Sequence, residues 1–487
     1  MEAEQPQTVP QEKGNLSKSI SIWGYLGMGI GAVFGASWLL MTGIWLDAAG
    51  GPMNALIAFI ACFLVELPLV LAYYEAVPMV PLAGGELSYA YLSFGNFIGM
   101  LVGWFGVLVN IILCAWEVLA ITRMLSYLIP AIGQATPLYM VGGAAVTIPS
   151  IALGLLLVLG IGFLQFKGTK LSSKFSTINT TIIISLALIC VIVGALNFST
   201  ANMEPLQTKN TFEGSLSLLS MLPFSIAGWE TISKGAQEAS SGVSVKKIGL
   251  SVVISVAVAI TMYILTLIVP TGLMPWQEMS GATAPFAEAM TRIGYPLLGT
   301  LLLFAACLGV VGVYNSVFFG ATRLLYSLGE YGLIPKSFTK LHPKHKTPTT
   351  AIFFVSVIAA VVLFFGQSLF VPLVNVAAVA YIVLWGSTLF SVMRLRTKYP
   401  QLKRPVKMPG GKPMMIYGGI VSIVLLFAML VPGSPAALSW PSEYILLAVL
   451  LGLGIGLYFF RDRSMSAEEQ SELILGNIRE EIDSNEE

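Results

Sequence analysis

Residues 27–43 read GMGIGAVFGASWLLMTG, a glycine-studded interruption inside an otherwise apolar run. A membrane helix gains nothing from Gly35-Ala36-Ser37 at mid-span unless its backbone must come loose there. Loose backbone at membrane depth is tolerated only where it is buried in protein or lines a cavity. A second interruption, PFSIAGWETIS beginning at Pro223, falls at the corresponding place in the second half of the chain. Two broken apolar segments at matched positions point to the binding site of a membrane transporter.

Composition agrees. The 487 residues are 56% hydrophobic and only 10% charged, where soluble domains carry about 25% charged residues. Mean hydropathy is +0.82. The chain reads as an all-α integral membrane protein. With roughly 20 apolar residues per crossing, twelve transmembrane helices are predicted. They cover about 22–48, 53–77, 97–128, 147–166, 174–197, 211–236, 246–272, 298–326, 349–366, 371–393, 413–432 and 441–461. The ninth and tenth are joined by little more than Gly366-Gln367-Ser368. This frames a segment 1–21, a membrane domain 22–461, and an acidic tail 462–487 read as a solvated appendage. The polar first twenty residues and the long, glycine-rich first apolar run predict no cleavable signal peptide.

Charge sets the orientation. Of the 26 basic residues, all but Arg123, Lys209 and Arg292 fall in segments that a cytoplasmic N-terminus would leave inside, and this bias predicts both termini in the cytoplasm. Lys234 and Arg323 are counted among those inner charges, as are Lys167, Lys170 and Lys174. A net charge of +1 argues against nucleic acid as a partner. Cys62, Cys114, Cys190 and Cys307 lie in apolar spans and read as packing residues. His342 and His345 share one basic loop, read as solvated rather than as a zinc site. No metal cluster, Ser/His/Asp set or phosphate loop stands out, so no enzyme is expected.

Four stretches resemble the amino acid–polyamine–organocation (APC) superfamily of permeases. They are GIGAVFGAS; PLAGGELSYAY at 81–91, with Gly95 and Gly103-Trp104 after it; PFSIAGWETISKGAQEAS at 223–240; and ATRLLYSLGEYGLIPKSF at 321–338, followed by Thr347-Pro348 and KYPQLKRPVKMPG at 398–410. The resemblance implies a LeuT-like fold. Spans 1–5 (about 22–197) and 6–10 (about 211–393) would form a 5+5 inverted repeat, with two peripheral helices at about 413–461. It also implies a secondary active amino acid transporter in the cell membrane, monomer or homodimer, working by alternating access through symport or exchange. A polyamine or amine/amino acid antiporter is the near alternative. A channel or a transport-silent amino acid sensor is the alternative of a different class.

By the same resemblance, the substrate carboxylate would meet the N–H groups of Gly35, Ala36 and Ser37. A half-helix N-terminus favours an anion there. The ammonium would meet the carbonyls of Val33, Phe224 and Ala227. Ser37 and Trp38 depart from the family's usual glycine and aliphatic residue. Phe224 aligns with an aromatic gate and is equally readable as packing. Trp229 would pack behind the site. Asn110, Cys114 and Glu117 share a helix face by their spacing, and that face borders the pocket in relatives.

Intramembrane acids are functional candidates. Glu117 could recognise a cationic side chain, carry a proton, or be structural. Glu230 could protonate during the cycle or hold two helices together. Glu66 and Glu75 read as structural. No resident cofactor is expected. Where relatives carry a coupling lysine in span 5, this chain has Ile183. Proton coupling through the acids and a sodium site near Asn315 or Ser316 both stay open.

Overall fold

The computed structural model describes residues 16–219, 221–434, 437–462, 464 and 466–484. The longer helices, in chain order, are α1 (Ile22–Val33), α2 (Ser37–Leu40), α3 (Thr42–Ala49), α4 (Pro52–Met79), α5 (Glu86–Phe94), α6 (Asn96–Leu128), α7 (Ile148–Lys167) and α8 (Thr169–Leu196). Then come α9 (Thr211–Leu219), α10 (Leu222–Ile226), α11 (Thr231–Lys234), α12 (Val245–Thr271), α13 (Pro296–Glu330), α14 (Thr349–Val362) and α15 (Phe370–Lys398). The last are α16 (Gly411–Leu430), α17 (Ser442–Phe459) and α18 (Ala467–Ser484). The protein is an all-α membrane protein apart from one small hairpin. Its strands, Tyr139–Val141 and Ala144–Val146, pair antiparallel around Gly142 and Gly143. Both glycines have positive φ, as a two-residue hairpin loop of the primed type requires.

Among the described residues, 10 helices are long and apolar enough to cross a membrane. The expected sixth span, 211–236, is not one of them. It is divided into α9, α10 and α11, with the chain non-helical from Ala227 to Glu230. The apolar segment Thr349–Lys398 counts once among these, although Gly366 (φ 57°, ψ −152°) breaks it between α14 and α15. The fifth expected span starts earlier than 174, at Thr169. Lys170 and Lys174 therefore stand on α8 and not in the preceding loop.

Local chemistry explains the ends. Ser21 caps α1, its hydroxyl accepting from Gly24 N at 3.1 Å. Gly50, in the left-handed region, ends α3, and Gly51 N donates to Leu46 O at 3.0 Å, the αL pattern that satisfies last-turn carbonyls. Pro52 then opens α4 at its first turn, where a missing N–H costs nothing.

The core is formed by α6 with α13 and α15, α4 with α12, and α1 with α8, α12 and α13. In the most apolar window of the α6 span 83% of residues are buried; in that of α17 only 17% are. So α6 stands at the centre of the bundle and α17 at its edge.

Two expectations are corrected. Lys234 and Arg323 are not loop charges: both side chains are fully buried in ion pairs. The acidic tail is not merely solvated. It forms α18, opened by a reciprocal capping box in which Ser466 N donates to Glu469 Oε2 at 2.7 Å and Glu469 N to Ser466 Oγ at 3.2 Å. The backbone donor at Ser466 holds the Glu469 carboxyl below its ordinary value. Ile474, Ile478 and Ile482 are buried in a row, each burial worth on the order of 2 kcal/mol. Lys18 Nζ bonds Glu481 Oε2 at 2.8 Å. Lys13, Arg463 and most of the segment 1–21 lie outside the described residues.

Candidate functional site

The two interruptions meet at the centre of the molecule. The first runs from Phe34 to Ala36 between α1 and α2. The second runs from Ala227 to Glu230 between α10 and α11. The second passes close against the last turn of α1 because Gly228 has no side chain there. A Cβ on Gly228 would lie 2.6 Å from Ala32 O, and Gly228 has φ of +114°. On the other side, a Cβ on Gly309 of α13 would lie 2.3 Å from Gly35 O.

Each break frees backbone groups that must find partners. At the first, Gly35 N donates to Val33 O at 3.1 Å. Trp38 Nε1 donates to Gly35 O at 2.7 Å. The hydroxyl of Tyr263, on α12, lies 2.8 Å from Val33 O and 2.9 Å from Ser225 O. One phenol therefore bridges a carbonyl of each break. Phe34 stacks on Trp38 and meets Tyr263 edge-on, and Trp45 and Phe59 close the cluster around the phenol. Tyr263 was absent from the sequence-based candidates. Its only signal is being the single tyrosine of an apolar span, where a buried hydroxyl needs a partner.

Between the breaks lies a cavity of about 10 Å³, lined by Ala32, Val33, Gly35, Ser37, Ser225 and Ala227, by Leu113, Trp116 and Glu117 of α6, and by Val313 of α13. That is room for about one water, so the site is closed. Of the expected residues, Val33, Gly35, Ser37, Ala227 and Glu117 are on its wall. Ala36 is buried within the break itself. Its N–H and those of Ser37 and Trp38 open α2, where a helix offers no internal acceptor. The side chain of Phe224 lies outside the described residues.

Asn110 and Cys114 are not on the wall. The face of α6 turned to the cavity carries Leu113, Trp116 and Glu117, so only Glu117 of the expected trio is in place. Asn110 Nδ2 donates to Gly106 O of its own helix at 2.7 Å. Glu117 is buried, and its Oε2 has no hydrogen-bond partner among the described residues. A Cβ on Gly35 would lie 3.8 Å from Glu117 Oε1.

Glu230 does not reach the cavity. Its Oε2 accepts from Gly228 N at 2.9 Å and its Oε1 from Lys234 Nζ at 3.2 Å. Trp229 packs behind, between Tyr73 and Trp385. Glu75 pairs with Arg396 and accepts from Met408 N. Glu66 takes a bond from Cys62 Sγ at 3.5 Å.

Asn315 is occupied by its neighbours. Its Oδ1 accepts from Gln165 Nε2 at 2.8 Å and Ser172 Oγ at 3.0 Å. Among the described residues no group of three His, Cys, Asp or Glu side chains is placed to hold a metal ion.

A family model described as amino acid permease matches residues 20–455. The branched-chain amino acid permease BcaP of Bacillus subtilis (strain 168) is 25% identical, over 91% of this chain and 92% of its own. The methylthioribose transporter of the same organism is 24% identical, over 93% of this chain and 95% of its own. Cationic amino acid transporter 9, chloroplastic, of Arabidopsis thaliana is 26% identical over 68% of this chain and 58% of its own.

Proposed function

Because the chain belongs to the amino acid permease family of the APC superfamily, we propose that it is a secondary active transporter moving a zwitterionic amino acid by alternating access. Members of this family are transporters and not enzymes. The observation that carries the reading is the closed cavity where two helix breaks meet. The positive end of α2 faces it from one side and unwound carbonyls from the other. A carboxylate is favoured at the N–H groups of Ala36 and Ser37. An ammonium is favoured at the carbonyls of Val33, Phe224 and Ala227. Tyr263 already holds Val33 O, and a carbonyl oxygen accepts a second bond.

Twelve crossings result if Thr349–Lys398 counts as two and α9–α11 as one broken span. The halves at about 22–197 and 211–393 each open with a broken helix, which supports the LeuT-like inverted repeat with α16 and α17 peripheral. The excess of Lys and Arg in the inner segments supports cytoplasmic termini, in a cell membrane. With Lys234 and Arg323 removed from the count, the bias keeps its direction.

Glu117 is the selectivity residue in this reading. A buried carboxyl with an unpartnered oxygen on the cavity wall favours a substrate that brings a positive side chain. A thermal-shift screen against the amino acids and polyamines identifies ligands, since binding to the native state raises apparent stability. Calorimetry on wild type and Glu117→Gln then decides selectivity. The expected loss for lysine exceeds that for leucine by about 2–5 kcal/mol, the scale of breaking a buried charge pair. Equal losses make Glu117 structural and the substrate neutral; a screen without ligands overturns the function itself.

A further inference from the structure

Glu86, Glu230 and Lys234 meet in a fully buried group, each side chain 0% exposed. Lys234 Nζ lies 3.2 Å from Glu230 Oε1 and 3.6 Å from Glu86 Oε1. Among the described residues the fully buried pair of Arg323 with Glu238 balances, as does buried Glu75 with the partly exposed Arg396. Here two carboxyls share one ammonium, so full ionisation leaves one surplus negative charge in a site without water contact. Such a charge is costly enough that the group takes up a proton instead.

The hydrogen bonds say which acid takes it. Both oxygens of Glu230 are engaged, one by Gly228 N and one by Lys234. Glu86 Oε1 accepts from the Tyr73 hydroxyl at 2.9 Å, with Ser233 Oγ at 3.3 Å. Glu86 Oε2 is buried with no partner among the described residues. Among the described residues, the remaining groups facing the cluster carry no compensating positive charge. They are Glu66 and Tyr73 of α4, Tyr89 of α5, Asn110 of α6, and Tyr381 and Thr388 of α15.

We propose that Glu86, Lys234 and Glu230 form a site for one exchangeable proton, carried on Glu86 and linked through Glu230 to the second helix break. The step is a single O–H bond made and broken. In the alternating-access cycle, Glu86 carboxylate takes a proton from hydronium when the group is opened to water on one side and gives it to water when opened on the other. With Glu86 protonated, the ammonium belongs to Glu230 alone, and Glu230 holds Gly228 N, next to Ala227 on the cavity wall. With Glu86 ionised, the ammonium is shared and that hold loosens. Lys234 thus supplies, from α11 just after the second break, a buried cation of the kind that Ile183 does not.

The inference rests on the transporter reading, and proteoliposomes separate the two. The probes are radiolabelled L-leucine and L-lysine, followed as counterflow and as accumulation driven by a pH gradient. One proton per amino acid gives an accumulation ratio of about tenfold per pH unit. In Glu86→Gln the ratio falls to equality, because an amide carries no proton. Mere structural damage would slow uptake and leave the final ratio unchanged. Undiminished accumulation in Glu86→Gln, or wild-type counterflow without any gradient-driven accumulation, overturns the proton site alone. Absence of wild-type counterflow with both probes overturns the transporter reading and this inference with it. Should Glu86→Gln fail to fold, Tyr73→Phe decides. Loss of the donor to Glu86 favours its protonated form, so the pH midpoint of gradient-driven uptake moves up; an unmoved midpoint overturns the proposal.

Discussion

The two helix breaks solve one problem with different chemistry. At Phe34–Ala36 the freed carbonyls are held by neutral donors: the Trp38 indole, the Tyr263 hydroxyl and the Gly35 amide. At Ala227–Glu230 the freed amide of Gly228 is held by a carboxylate, itself held by an ammonium. Neutral bonds of this kind are worth about 0.5–1.5 kcal/mol net each, whereas bonds to charged groups are worth about 1.5–3. The first break is therefore the easier to hand over to a ligand. The second is the stiffer and changes most when a charge in its support changes. Paired breaks related by topology need not share a role.

Four substitutions test that contrast. The largest effect is expected from Gly35→Leu, which fills the closed cavity. A Cβ alone there would stand 2.6 Å from Val313 Cγ2. Binding should vanish while membrane insertion survives, since leucine favours a span; wild-type affinity in a well-expressed variant would remove the first break from the site. Gly228→Ala comes next. Its Cβ would meet backbone, Ala32 O, at a φ that L residues rarely adopt. Such strain costs on the order of 1–3 kcal/mol, read as a lower Tm in detergent. A Gly35→Ala control should lose less, because Val313 is a side chain and can move. The smallest effect is expected from Trp38→Phe, which removes the donor to Gly35 O and costs about 0.5–1.5 kcal/mol. A loss matching that of Gly228→Ala would erase the difference between the breaks.

What the sequence could and could not say follows from the range of each signal. The breaks were legible because glycine inside an apolar run is a local anomaly, and Glu117 because an acid inside a span is another. The family motifs carried the rest of the architecture. Tyr263 was not legible, since its role lies in reaching two carbonyls 230 and 38 residues away in the chain. Asn110 and Cys114 share a face with Glu117 by helical spacing, and only the resemblance set that face at the pocket; spacing fixes a face only to within about one residue's turn of 100°. Lys234 and Arg323 adjoin inner loops, and position alone does not separate a solvated cation from a buried one. The stripe Ile474, Ile478, Ile482 is diluted by acids on every other face of α18, so composition concealed a helix that its capping box at Ser466–Glu469 announces.

The pairing of Lys18 with Glu481 spans 463 positions of the chain. Lys18 stands just before Ser19 and Ile20, whose amides donate to Glu238 O, beside the buried Arg323 pair. During synthesis, the strap formed by residues 18–20 can reach Glu238 once the middle of the chain has emerged. It acquires its partner on α18 only after every candidate span has been made. A nascent chain that stops short of α18 would already hold every candidate span, yet the strap at residues 18–20 would be without this tie. The making of α18 is thereby registered at residues 18–20, on the far side of every candidate span.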